Sequence, residues 1–288
     1  MQARNSGNGI GVQTAVIDRV STGELHAEIP EANTNEATAQ IVAENEYRGG
    51  IDGQRNHGSH AVLQRYDRQS GLVRISAITI PPEIAIIGCG NIGSHCALTL
   101  ARAGAPVLHL YDSDKVEIHN LASQSYGENM LGKFKAEAVA QQIHAINSDT
   151  IVYIHGNASI KKPTWARHKY VIIAVDTMSK RKQFSDVLST YGNRYTRNVQ
   201  AIVDIRCGGE QIDVFTAGQY QYRYTIRDNP SVDTCGARYV GYVSAIAGAL
   251  GAKEVLREIH ARELENESNN DIRSYSVDVR NMQVVRGV

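Results

Sequence analysis

The sequence predicts an α/β fold: a mainly parallel sheet flanked by helices, with antiparallel strands at one edge. Three observations predict it. Short apolar runs alternate with helical stretches from residue 83 onward, the pattern that builds parallel sheets from βαβ units. The first run breaks into a glycine-rich turn, Gly88-Cys-Gly-Asn-Ile-Gly93, that opens a helix. Nineteen residues past Gly93, Asp112 closes the second run, Val107–Tyr111. Gly88, Gly90 and Gly93 have G-x-G-x-x-G spacing, which lets the backbone turn tightly and approach a phosphate at the helix N-terminus. An acid at the second strand tip accepts hydrogen bonds from a ribose. The unit is Rossmann-like and points to a bound nucleotide. By itself it does not separate a dinucleotide from ATP.

The elements follow in order. Strand 84–87 leads to helix 91–103, with Gly104 as its stop. Strand 107–111 precedes a long polar loop, 112–131, and helix 132–146. Strand 151–155 is next. Tyr170–Val175 is apolar and β-branched, suited to a central parallel strand. Helix 178–191 is followed by strand 199–205, and Gln211–Thr216 pairs back on it through Gly208-Gly209. An irregular stretch, 217–236, precedes a long helix, 237–262, whose Gly241, Gly248 and Gly251 permit close packing on the sheet. Tyr220, Tyr222 and Tyr224 alternate as a half-buried strand face would. Two runs near the end, 274–279 and 282–285, read as a closing hairpin.

Residues 1–60 differ, being rich in Asn, Gly, Glu, Thr and Ala. They read as a partly ordered extension and linker with short strands at 12–20 and 25–29 and a helix at 31–45. Residues 61–288 read as one domain. The 30 basic and 30 acidic side chains cancel, so no global field favours nucleic acid or an anionic membrane. No apolar run is long enough to span a bilayer. Cys89, Cys96, Cys207 and Cys235 form no C-x-x-C, which argues against a disulfide scaffold and against a cysteine zinc site. The expected compartment is the reducing cytoplasm. His57 and His60 have H-x-x-H spacing but no third ligand nearby.

Other motifs accompany the glycine turn. They are Arg65-Tyr-Asp-Arg-Gln69, Asp112-Ser-Asp114, Asn120-Leu-Ala-Ser-Gln124, Gly132-Lys-Phe-Lys135 and Asp176-Thr-Met-Ser-Lys-Arg181. In this order and spacing the chain resembles the ThiF/MoeB-type adenylyltransferases of the ubiquitin-activating-enzyme superfamily, over about residues 64–286. The resemblance implies magnesium ATP as cofactor and a reaction that adenylates the C-terminal carboxylate of a small ubiquitin-like or sulfur-carrier protein, or of a peptide. It implies a homodimer, with no nucleic-acid or membrane partner. By the same resemblance Gly88, Gly90, Asn91 and Gly93 form the phosphate turn and Asp112 holds the ribose. Asp114 orients its loop, Asn120 lies beside the phosphate path and Lys135 approaches the phosphates. Asp176 holds Mg²⁺, a hard cation suited to oxygen ligands, and Arg68 reaches the phosphates from the partner subunit. Cys235 corresponds to a cysteine that receives the activated acyl group in some relatives, a role that needs a lowered thiol pKa.

Three departures stand out. Asn91 replaces the family's adjacent glycine, Ser123 replaces an arginine expected near the phosphates, and the paired zinc cysteines of many relatives are absent, so no zinc is expected. Lys133 is a candidate replacement cation, though a point charge is not a guanidinium fork. Asp176 can alternatively cap the following helix. Two other functions stay open: an inactive nucleotide-binding scaffold, favoured by Asn91 and Ser123, and an NAD-dependent oxidoreductase, which fits the glycine turn and Asp112 but leaves Arg68 and Lys135 unexplained.

Overall fold

In a computed structural model, the described residues are 65–69, 82–190, 198–226, 240–265 and 271–287. The expected strands and helix within 1–60, the His57/His60 pair and Cys235 lie outside them. The chain divides into two compact units, Arg19–Leu72, and Val73–Val288 together with Met1–Asp18.

The larger unit carries an eight-stranded sheet: β1 (Glu83–Ile87), β2 (Val107–Tyr111), β3 (Ile151–His155), β4 (Tyr170–Ile173), β5 (Ala201–Gly208), β6 (Gln211–Ala217), β7 (Arg273–Asp278) and β8 (Gln283–Arg286). Their order is β3-β2-β1-β4-β5-β6-β7-β8. The first five in that order are parallel and the rest antiparallel, as the sequence predicts. Among the described residues four α-helices accompany it: α1 (Asn91–Arg102), α2 (Lys135–Ile146), α3 (Met178–Thr190) and α4 (Gly241–Glu263).

Strand alternation sorts the side chains into two cores. Ile84, Ile86, Leu108, Leu110 and Ile172 face α1, α2 and α4. Ala85, Ile87, Tyr111, Val171 and Ile173 face α3 and Trp165. The central strand β4 is fully buried on both faces, which is why its sequence shows no polar alternation. Because β2 lies on one side of β1 and β4 on the other, the strand order reverses between them. Ligands of open α/β sheets bind at the strands' carboxyl ends beside such a reversal.

Several local expectations are corrected. Helix α2 starts at Lys135 rather than at 132, because Gly132 takes φ +79° and Phe134 pairs with Lys115 in an antiparallel bridge. That bridge, with the Val116 N–H bonded to the Lys133 carbonyl at 2.9 Å, diverts the backbone from helix. The alternating tyrosines are not a strand: Tyr222–Thr225 is a 3₁₀ turn that buries Tyr222 and leaves Tyr220 and Tyr224 exposed. The α4 glycines pack largely on other segments than the sheet. A Cβ at Gly248 would lie 2.5 Å from the His95 Cβ on α1, and one at Gly241 would lie 2.8 Å from the Ala122 carbonyl; Gly251 meets Ile205 of β5. Gly104, at φ +87°, does end α1 as predicted.

Under the second face lies a buried ionic node. Asp204 on β5 accepts from Arg181 Nε at 2.8 Å, from Arg206 Nη2 at 2.6 Å and from the Tyr222 hydroxyl at 3.1 Å. Arg181 is the arginine of the Asp176–Arg181 motif. It is fully buried and spends its Nη2 on the Ile205 carbonyl at 3.0 Å, so its contacts fasten α3 to β5.

Candidate active site

The glycine turn sits at the carboxyl end of β1 and each glycine answers a distinct demand. Gly88 has φ +91°, and a Cβ there would lie 2.6 Å from the Ala174 carbonyl at the end of β4. Gly93 presses α1 against the strand end, where a Cβ would stand 1.8 Å from the Gly88 oxygen. At Gly90, by contrast, the nearest atom to a Cβ would be Gln124 Nε2 at 4.0 Å, so this position leaves open space. The N-terminus of α1 opens there, with the Ser94 N–H and hydroxyl both bonded to the Gly90 carbonyl, at 3.1 and 2.7 Å. Unpaired N–H groups and the positive dipole end make such a turn an anion seat.

Asp112 locks onto this turn. One carboxylate oxygen accepts the Cys89 N–H at 2.7 Å and the other accepts the Asp114 N–H at 2.8 Å. Burial pushes its carboxyl above the ordinary range, against those bonds and the charge of Lys135. Each oxygen keeps lone-pair capacity for a ribose hydroxyl. The bridge that shortens α2 also delivers Lys135: its N–H bonds the Asp114 carbonyl at 2.8 Å and its buried ammonium lies 3.4 Å from the exposed Asp114 carboxylate.

The Asn120–Tyr126 loop docks on the first turn of α1. Ser123 Oγ donates to Asn91 Oδ1 at 2.8 Å, the Ser125 N–H to Ser94 Oγ at 3.1 Å, and His95 Nε2 lies 3.2 Å from the Ser123 carbonyl. Two departures from the family pattern, Asn91 and Ser123, are therefore partners of one another. Buried Asn120 holds the loop's start by accepting the Glu117 N–H at 2.9 Å. Tyr126, which the sequence motifs do not flag, donates its hydroxyl to the Cys89 carbonyl, joining loop to glycine turn. Lys133 is occupied by Gln141 at 2.8 Å and has no contact with Ser123 or Asn91.

Asp176 follows β4 and is exposed. Partial burial pushes its pKa up, yet the Lys180 ammonium at 3.0 Å and the charge of Arg181 outweigh it and hold the carboxyl below its ordinary value. It does not cap α3. Thr177 does, its hydroxyl accepting the Lys180 N–H at 3.4 Å. A solvent-facing, ionised carboxylate with a hard oxygen set fits Mg²⁺, in competition with Lys180. Arg68 is exposed on a 3₁₀ turn, Asp67–Gln69, of the smaller unit. Cys89 and Cys96 are fully buried packing groups, and burial pushes the Cys96 thiol up to about 12.

Residues 80–287 match the ThiF family, and the chain belongs to it. It is 30% identical over 213 residues to "Adenylyltransferase and sulfurtransferase MOCS3" of Xenopus laevis, covering 68% of this chain and 45% of that protein. It is 34% identical over 88 residues to "Ubiquitin-like modifier-activating enzyme 5" of Caenorhabditis briggsae, covering 31% of this chain and 20% of that protein. The match thus spans less than half of either relative. The crystal structure of E. coli MccB with MccA-N7isoASN superposes with a TM-score of 0.53 at 18% identity, covering 72% of this chain and 64% of that one; this likeness concerns the fold. Among the described residues no helix is long and apolar enough to cross a membrane.

Proposed function

We propose that the chain is an ATP-dependent adenylyltransferase acting on the C-terminal carboxylate of a small ubiquitin-like or sulfur-carrier protein, or of a peptide, as a cytoplasmic homodimer. The observation that carries this reading is the Asp112 carboxylate locked to the glycine turn beside a buried lysine, Lys135, at one strand end. Family membership and the adenylyltransferase relative support it. When bound, magnesium ATP supplies an α-phosphorus that the carboxylate oxygen attacks, with pyrophosphate leaving and an acyl adenylate forming.

The chain's own residues position and neutralise. The Gly90 turn seats phosphate oxygens on backbone N–H groups, and Asp112 holds the ribose. Lys135 releases Asp114 to meet the phosphates, Asp176 holds Mg²⁺ once freed from Lys180, and Asn120 and Asp114 keep the flanking loop in place. Arg68 reaches the phosphates from the partner subunit. Cys235 accepts the acyl group in a second step, its thiolate displacing AMP.

A second reading, a nucleotide-binding scaffold of weak or no turnover, is favoured by the Asn91–Ser123 bond, which brings no cation where the family places an arginine. Pyrophosphate exchange with a panel of glycine-ended carriers and peptides tests both. Exchange that requires a C-terminal carboxylate supports adenylation. ATP binding without exchange for any candidate supports the scaffold, and binding of NADH in place of ATP would revive an oxidoreductase.

A further inference from the structure

A second cluster of reactive side chains lies on the α3 face of the sheet, apart from the glycine turn. Glu83 opens β1, His109 lies midway along β2, His155 ends β3 and His168 precedes β4. None of the motifs uses them. Parallel register sets His109 beside Ala85 and Tyr153, and His155 beside Tyr111. The alternation of side chains thus delivers residues distant in sequence to one patch.

The geometry there is that of a coordination shell. Glu83 Oε2 lies 3.1 Å from His168 Nδ1 and 3.3 Å from His109 Nε2, and the three ligand atoms fall within 4.8 Å of one another. Two donors each about 2.05 Å from a tetrahedral ion stand about 3.3 Å apart. His109 is buried, and its Nε2 has no hydrogen-bond partner. The carboxylate takes a hydrogen bond from His168 but meets the His109 nitrogen only as a 3.3 Å contact outside good hydrogen-bond geometry. Such a buried orphan calls for a ligand.

The outer partners fit as well. His109 Nδ1 lies 3.1 Å from His155 Nε2, and His168 Nε2 lies 3.3 Å from the Tyr111 hydroxyl. With Nδ1–H donated to His155, the His109 Nε2 lone pair faces Glu83. Moving the His168 proton from Nδ1, where it bonds Glu83, to Nε2, where it would bond Tyr111, would free the Nδ1 lone pair for the ion. Outer hydrogen bonds of this kind fix the tautomer of metal-binding histidines. Tyr153 stacks on the His109 ring at 4.7 Å and Tyr111 on that of His155 at 4.2 Å, locking both rotamers. The Glu83 side chain is 41% exposed, which leaves an entry path and room for a water ligand.

We infer that Glu83, His109 and His168 bind one divalent first-row transition metal, with His155 and Tyr111 as outer positioning residues. Two imidazoles and one carboxylate suit zinc, iron(II), cobalt or nickel rather than magnesium or calcium. Five residues at about 3.3 Å each separate Glu83 from Gly88, roughly 16 Å along β1. The three ligands therefore join β1, β2 and the entry to β4 away from the nucleotide turn, while the backbones of the outer residues Tyr111 and His155 accept the Gly88 N–H at 2.9 Å and the Asp112 N–H at 3.4 Å. The expectation of no zinc rests on missing cysteine pairs and does not bear on a histidine site.

The test uses the full chain, stripped with chelator, reloaded with Zn²⁺ and dialysed. Bound zinc is counted by elemental analysis, and Co²⁺ loading is followed by its visible absorption. The wild type should retain one ion per chain with a raised thermal midpoint. His57→Ala/His60→Ala should behave identically. His109→Ala should lose the ion, and His155→Phe should weaken binding by about 10- to 100-fold. Should His109→Ala fail to fold, Glu83→Gln, on a partly exposed side chain, decides the matter through at least a tenfold loss with unchanged circular dichroism. A wild-type chain that retains neither Zn²⁺ nor Co²⁺, retention by Glu83→Gln, or loss of the ion in the His57/His60 variant would each overturn the assignment.

Discussion

Replacing Gly93 by alanine should damage both stability and nucleotide chemistry, because of where the methyl group must go. The new Cβ would sit 1.8 Å from the Gly88 carbonyl oxygen and 2.9 Å from its carbon. That is about 1.6 Å short of ordinary contact, which begins at 3.4 Å. Both clashing atoms are backbone, so no side chain can swing aside and α1 must lift from the end of β1. Overpacking of this kind costs about 3 kcal/mol. A shift of about 1 Å in the helix N-terminus should cost on the order of 100-fold in the chemical step. Gly90→Ala is the control. Its methyl meets nothing nearer than Gln124 Nε2 at 4.0 Å, so its stability should change by about 1 kcal/mol at most. It should still lose nucleotide affinity, because the methyl fills the space that a phosphate enters. Urea unfolding and pyrophosphate exchange on both variants are the assays. Gly93→Ala within about 0.5 kcal/mol of wild type, with normal exchange, would refute the packing argument.

Three other outcomes follow from the same structure. Asp204→Ala leaves Arg181 and Arg206 buried without their carboxylate and should cost about 3–5 kcal/mol in urea unfolding; a loss under about 1 kcal/mol would contradict the node. Burial, then the charges of His109 and His168, lowers the His155 pKa from 6.5 to about 4. A base depressed on folding binds protons more readily when unfolded, so its contribution is complete above pH 6.5 and lost as pH falls toward 4. Thermal midpoints of metal-free protein should decline across that window, and His155→Gln should flatten the slope. Asn91→Gly and Ser123→Arg each break the Asn91–Ser123 bond, worth about 1 kcal/mol, whereas the double variant restores the family pair. A double-mutant cycle on exchange rate should therefore be non-additive in favour of the double variant, and additivity would count against that coupling.

The sheet was legible in the sequence because its signal is periodic and local. β2 and β3 begin and end where their apolar runs do, and the β5–β6 hairpin expected near Gly208-Gly209 forms one residue later, with Gly208 paired to Gln211 across a Gly209-Glu210 turn. Boundaries failed where tertiary pairing overrode the local pattern, as at 132–134, where a bridge to Lys115 takes the place of a helical turn. The alternation of Tyr220, Tyr222 and Tyr224 misled because a 3₁₀ turn also separates neighbours onto different sides.

Near the glycine turn, Asp112, Asp114 and Lys135 were legible as motif positions, and hydrogen bonds and an ion pair link them at the carboxyl ends of β1 and β2, whereas Asn120 bonds within its own loop. Tyr126 and the Asn91–Ser123 bond were not, since each depends on a loop folding back across 32 residues or more. Arg181 shows the converse: a motif position whose side chain turns to the core. The histidine cluster was invisible to spacing rules, His109 and His155 lying 46 residues apart and Glu83 and His168 85 apart. Their shared face, set by in-register strands, was the available signal.

The central proposal is that the chain grips magnesium ATP at the carboxyl ends of β1 and β2 through the glycine turn and Lys135. Calorimetric titration of the full chain with ATP, with and without Mg²⁺, against NADH and against the Lys135→Met variant tests it directly. The expected result is saturable, magnesium-dependent ATP binding that weakens at least about tenfold in Lys135→Met, with no binding of NADH. NADH binding in place of ATP, or ATP binding indifferent to Lys135, would contradict it.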